Sequence, residues 1–186
     1  MIISFFCKVN KWLASFMRVI LARVLLGNRL KVVSGKPLYM GKGVRILLGK
    51  NAFCEIGSGV YLSPGCVIEV LDGGVLTIGD NVYMNDNCRV TAAKNVCIGS
   101  GSLFGPNVQI YDHDHEFDIG GCRSTLKSSP VFIGQNCWLC TNAVITRGCA
   151  VADRSLVSAN SVVTRSLLNP GALYAGVPAR LIKSFK

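Results

Sequence analysis

The chain carries two hydrophobic rhythms. Over residues 1–30 apolar side chains fall at Ile2, Phe5, Phe6, Val9, Trp12, Leu13, Phe16, Met17, Ile20 and Val24, while Ser4, Lys8, Lys11, Ser15 and Arg18 recur every three or four residues. Two stripes at that spacing predict an amphipathic helix with one cationic face. From Glu55 onward the helical period disappears and a period of six replaces it. Its anchors are Ile56, Leu62 and Ile68; Ile78, Met84 and Val90; Ile98, Phe104 and Ile110; then an unbroken run of Ile133, Leu139, Ile145, Val151, Val157 and Val163.

The other hexad positions follow rules of their own. One place after the anchor the residue is small or polar, as at Gly57, Ser63, Gly79 and Asn85, which suits tight turns and close backbone approach. Four places after it the residue is compact: Val60, Cys66, Val82, Cys88, Ser102, Cys137, Ala143 and Cys149. Both positions read as inward-facing. One short strand and its turn cannot bury a face alone, so a repeat of this length predicts a solenoid of stacked coils. Grouped in threes the anchors predict five coils, with a partial first turn across residues 38–50. Phase breaks at 69–77 and 91–97 predict small protruding loops. The large break, residues 111–130, holds both histidines, and a long excursion from a regular solenoid is where function is expected. The organisation expected is an N-terminal helix over 1–35, an all-β solenoid over 36–165 and a short tail over 166–186.

The chain has 20 Lys and Arg against 10 Asp and Glu, a formal net charge of +10. No acidic residue precedes Glu55, whereas ten basic ones do, from Lys8 to Lys50, so the excess belongs to the N-terminal segment. That pattern argues against a fold-wide nucleic-acid surface and for a helix lying in an anionic membrane interface, Phe5, Trp12 and Phe16 inserted. The charges of Lys8, Lys11, Arg18 and Arg23 interrupt any run long enough to span a bilayer. Packing of the helix on its own subunit or on a partner is the alternative. No small-residue cleavage site follows it, and the nine scattered cysteines, with a single C-x-x-C at Cys137 and Cys140, read as free thiols in a reducing cytoplasm.

The excursion opens with Tyr111-Asp112-His113-Asp114-His115-Glu116-Phe117-Asp118. Two imidazoles among carboxylates suit three chemistries: an H-x-H metal site, a solvated polar loop, or a general base whose ring a carboxylate orients. The metal reading is weakened by the absence of a third histidine, which metal-dependent carbonic anhydrases built on a hexad solenoid use.

Residues 98–183 resemble the hexapeptide-repeat acetyl-CoA-dependent O-acetyltransferases that act on sugars and polysaccharides. The likeness rests on I-G-x-x-x-x-x-G-P-N-V-x-I (98–110), the D-H-D-H segment, P-V-x-I-G-x-N-x-W (130–138) and A-G-V-P-A-R-L-I-K (175–183). It implies a left-handed parallel β-helix. It implies that His113 is the catalytic base, with His115 as second candidate, and that Asn85 contacts the acceptor, joined there by the flanking Asp112 and Asp114. Trp138, Thr141, Ala159 and Thr164 would hold the acyl and pantetheine arm, and Arg180 and Lys183 the nucleotide phosphates. The chain departs from the family at Trp138-Leu139-Cys140, where W-I-G is common, and at Ser158-Ala159-Asn160.

The resemblance further implies acetyl-CoA as co-substrate, no metal, a sugar or surface-glycan acceptor and a homotrimer with sites between subunits. With the basic helix it places the protein in the cytoplasm, peripheral on the inner face of the membrane through residues 1–30. N-acetylation of an amino sugar and a non-enzymatic membrane-peripheral β-helix are the alternatives. Removing residues 1–30 is expected to leave the β-helix folded.

Overall fold

A computed structural model describes residues 2–185 and the side chains of residues 10–185. A helix spans Ile2–Leu26, and every strand from Leu30 to Val163 outside the excursion belongs to one of three parallel sheets. Each sheet takes one strand per coil, so the winding is a parallel β-helix of six coils among the described residues, consistent with the left-handed form that the resemblance implies. The first face runs through Leu30–Val32, Phe53–Ile56, Val75–Ile78, Asn95–Ile98, Val131–Ile133 and Ala150–Val151. The second runs through Tyr39–Met40, Tyr61–Leu62, Tyr83–Met84, Leu103–Phe104, Trp138–Leu139 and Leu156–Val157, and Ala172–Gly176 extends it. The third comprises Arg45–Leu48, Val67–Val70, Arg89–Ala92, Gln109–Tyr111, Val144–Ile145 and Val162–Val163.

The hexad anchors fill the prism. Ile56, Leu62, Ile68, Ile110, Leu139 and Ile145 are fully buried, and so are Val60, Cys66, Val82 and Ala143 four places after an anchor. Burial in this apolar interior pushes the thiol of Cys54 up to about 12 and raises Cys137 and Cys149, so these cysteines act as packing groups.

The residues one place after the anchor are not inward, contrary to expectation. Most are only half-buried, because they sit at corners beneath the next coil. They are small because the coils approach so closely there: a Cβ on Gly99 would come within 2.5 Å of the Gly134 carbonyl carbon. The left-handed turn residue lies two places further on, at Gly59, Gly65, Gly101 and Gly148 or at Asn81, Asn87, Asn107, Asn136, Asn142 and Asn160, all with positive φ. Asn107 donates to Asn142 at 3.1 Å and Asn142 to Asn160 at 2.9 Å, forming a short amide ladder up one corner.

Two further expectations are corrected. The phase breaks at 69–77 and 91–97 do not protrude: the extra residues lengthen the flanking strands to four, so the corner stays tight. The first turn is not partial. Leu30–Val32 already pairs with Cys54–Ile56, and the irregular stretch from Val33 to Leu38 hides this from a hexad count.

The helix closes the N-terminal end of the prism with its polar stripe. Ser15, fully buried, accepts the Met40 N–H at 2.7 Å, and Arg18 donates to the Met40 carbonyl at 2.8 Å. Arg29, just beyond, donates to the Leu48 and Gly49 carbonyls at 3.1 and 2.8 Å. These groups satisfy strand edges that the first coil would otherwise leave open. Val19, Ala22 and Leu26 add apolar contact to the core. The helix is therefore part of the solenoid's closure, which argues against the expectation that residues 1–30 are dispensable for folding. At about 100° per residue, Leu13, Met17, Ile20, Leu21 and Val24 fall on the opposite side, and all are exposed. Phe5 lies outside the described side chains.

Candidate active site

The excursion folds as an antiparallel hairpin, His113–Asp118 against Gly121–Ser128, leaving the corner after the third face of the fourth coil. At its root Asp112 is fully buried. Its two carboxylate oxygens accept the backbone N–H groups of Ala93, Lys94 and Asn95, each at 2.7 Å. With its orientation set by three amides, Oδ1 lies 3.1 Å from Nδ1 of His113, whose side chain is 16% exposed. Nδ1–H donates to the carboxylate, which leaves the lone pair of the neutral ring on Nε2, directed away from it. This corrects the placement of Asp112 as an acceptor contact: it has no free surface, and its carboxylate instead meets the His113 ring.

The other excursion residues are separate. His115 is exposed on the hairpin, its Nδ1–H donating to the Arg123 carbonyl at 3.0 Å. Asp114 takes a 2.5 Å ion pair from Arg147 Nε of the next coil, which anchors the hairpin. Sequence reasoning passed over Arg147; its place two residues after the Ile145 anchor was the available signal. Among the described residues no group of three His, Cys, Asp or Glu converges as a metal site.

A second cluster lies on another edge of the prism, where the second face turns into the third. Asn85, Trp138 and Thr141 share a cleft of about 360 Å³ with Tyr83, Leu103, Pro106 and Cys140. Asn85 Oδ1 accepts the Asp86 N–H at 2.8 Å, so its amide NH₂ is the end available to a ligand. Trp138 is about half exposed. Ala159 follows one coil above Thr141, whose carbonyl accepts the Asn160 N–H at 3.0 Å. The column continues in register from Trp138 to Leu156, Leu173 and Lys183, the last on the returning strand Ala179–Ser184, which also carries Arg180 opposite Ala175. Three strand steps of about 4.8 Å separate Trp138 from Lys183, roughly 14 Å in all. Thr164 does not join this set: it follows the third face, on the same edge as His113. Sequence reasoning also missed Tyr83, the top of a column Tyr39–Tyr61–Tyr83 that recurs once per coil and stacks at 4.1 and 5.1 Å.

A single chain thus holds a poised imidazole on one edge and a half-open aromatic cleft, leading to fixed cations, on another. No family model matches the chain. WbbJ of Escherichia coli, provisionally named a lipopolysaccharide biosynthesis O-acetyl transferase, is 34% identical over 106 residues, 52% of this chain and 54% of that protein. The galactoside O-acetyltransferase of Escherichia coli is 35% identical over 92 residues, 47% of this chain and 43% of the relative. A solved galactoside acetyltransferase in complex with coenzyme A is similar at TM-score 0.62 and 30% identity, over 69% of this chain and 64% of that one. The chain spans about half the length of these curated relatives. The likeness to hexapeptide-repeat O-acetyltransferases holds in sequence and in fold.

Proposed function

We propose that the protein transfers an acetyl group from acetyl-CoA to a hydroxyl of a sugar, in the assembly of a capsular, exopolysaccharide or other surface glycan. The observation that carries this is the Asp112–His113 pair: a buried carboxylate held by three amides sets the ring so that Nε2 presents its lone pair to the hairpin corner. Nε2 removes the hydroxyl proton, and the oxygen attacks the thioester carbonyl. The tetrahedral oxyanion, met by backbone N–H groups, collapses with loss of the CoA thiolate. The imidazolium protonates that thiolate, and an acetyl ester and free CoA leave.

The two half-sites support a homotrimer. His113 and the Asn85–Trp138–Thr141 cleft occupy different edges of one prism, so a neighbouring copy that sets its cleft edge against the His113 edge completes the site. In that arrangement Thr164 accompanies the base, Asn85 meets the acceptor, and pantetheine runs past Trp138, Thr141 and Ala159. The phosphates then reach Arg180 and Lys183, the roughly 14 Å column being commensurate with an extended arm. The exposed apolar side of the helix and the basic segment behind it support a peripheral position on the inner face of the membrane. Among the described residues no helix is long and apolar enough to cross it.

CoA release from acetyl-CoA over a panel of free and lipid-linked sugars tests the reading. His113→Ala is expected to lower kcat roughly a hundredfold or more, with acetyl-CoA binding by calorimetry unchanged, since general-base catalysis contributes about 10²–10⁴. Failure of the wild-type protein to bind acetyl-CoA would overturn the enzyme reading in favour of a scaffold.

A further inference from the structure

Between the helix and the segment that leads from the first strand to the second lies a cavity of about 790 Å³, larger than the cleft described above. Its walls are mainly apolar, Trp12, Phe16, Val32 and Leu38 among them, and Trp12 meets Tyr39 edge-on at a centroid distance of 5.0 Å. Among the described residues two cations, Arg23 and Lys36, line it, and no carboxylate does. It opens beside the outward helix face, where Leu13, Phe16 and Met17 are each more than half exposed. Ser15 and Arg18, which would ordinarily face water, are spent on the end of the solenoid, so the cavity and the outer face form one apolar surface with a cationic edge.

We propose that this groove is a lipid site, taking the hydrocarbon chain of an anionic membrane lipid along Trp12, Phe16 and Leu38 and its phosphate on Arg23 and Lys36. The charge pattern selects this occupant. A second copy of the chain would bring the same two cations against themselves, whereas an anionic bilayer supplies both the apolar filling and the counter-charge. The volume lies within the usual range for a bound small molecule. Rigid lodging of one lipid beneath the first coil stands the solenoid axis away from the bilayer. At about 4.8 Å per coil, His113 in the fourth coil then works roughly 15 Å above the surface, at the height of a glycan carried on a membrane lipid. The proposal rests on the membrane contact inferred above.

The test uses the full chain carrying Trp138→Phe, which leaves Trp12 as its one tryptophan. Vesicles of phosphatidylglycerol or of phosphatidylcholine are floated with it, each with acyl chains brominated or unbrominated. Expected are flotation with phosphatidylglycerol, quenching of Trp12 by the brominated chains, and roughly thirtyfold weaker binding for Arg23→Glu combined with Lys36→Glu. Flotation without quenching, or without sensitivity to those substitutions, overturns the groove and leaves the membrane contact standing. No flotation at low salt overturns both. If Phe16→Asp instead splits the oligomer in sedimentation, a second copy fills the groove and the lipid assignment is overturned. Circular dichroism of each variant separates misfolding from lost binding.

Discussion

Both the helix and the coils of this chain are amphipathic, yet they spend their apolar faces in opposite directions. The coils turn every hexad anchor inward and leave their corners to Asn, Gly and Asp. The helix turns Ser15 and Arg18 inward, onto the open strand edge at Met40, and shows Leu13, Met17 and Val24 to the outside. The difference follows from what each must cover. A coil interior is lined by side chains, so only apolar groups fill it. The end of a parallel solenoid is a row of unpaired backbone N–H and C=O groups, which polar side chains satisfy. An amphipathic helix that caps such an end is thereby left with its apolar side unpartnered.

The largest expected effect lies in the coils. Leu139 is fully buried in the prism, and Leu139→Ala should destabilise by about 2–5 kcal/mol, read as a shift in the denaturant midpoint. At the cap, Ser15→Ala removes the acceptor of the Met40 N–H and leaves that buried donor unmade. It should cost about 1–3 kcal/mol, which thermal unfolding will report. A loss as small as that of a surface substitution would mean that water reaches the first strand beneath the helix. The smallest effect is expected on the outer helix face: Val24→Ser should change stability by less than about 0.5 kcal/mol while weakening flotation with anionic vesicles. If Val24→Ser instead costs as much as Leu139→Ala, the outer face is packed against protein, and the contrast between the two regions fails.

The comparison also clarifies the candidate site. The two histidines were legible because they stand in a charged run within a broken repeat, whereas the choice of His113 and the singling out of Trp138 came from the resemblance to the sugar O-acetyltransferases. That a carboxylate of this run could orient the ring was legible, but not that Asp112 is the one. Its three amide donors come from Ala93, Lys94 and Asn95, one coil earlier, and only coil stacking brings them to it. Arg147 reaches Asp114 by the same stacking.

What the sequence determined by itself is the set of properties carried by local period: the solenoid, its anchors, the compact fourth position, the helix and the excursion at 111–130. A six-residue repeat has one way to bury its apolar positions, so those readings follow from spacing. What only the tertiary structure decided is which side of each element meets what. It turned Ser15 and Arg18 of the helix inward, extended the solenoid back to Leu30, and set His113 and Trp138 on different edges. Those outcomes depend on the unpaired backbone of a strand edge and on which coils lie one above another, and neither leaves a mark in local hydrophobic spacing.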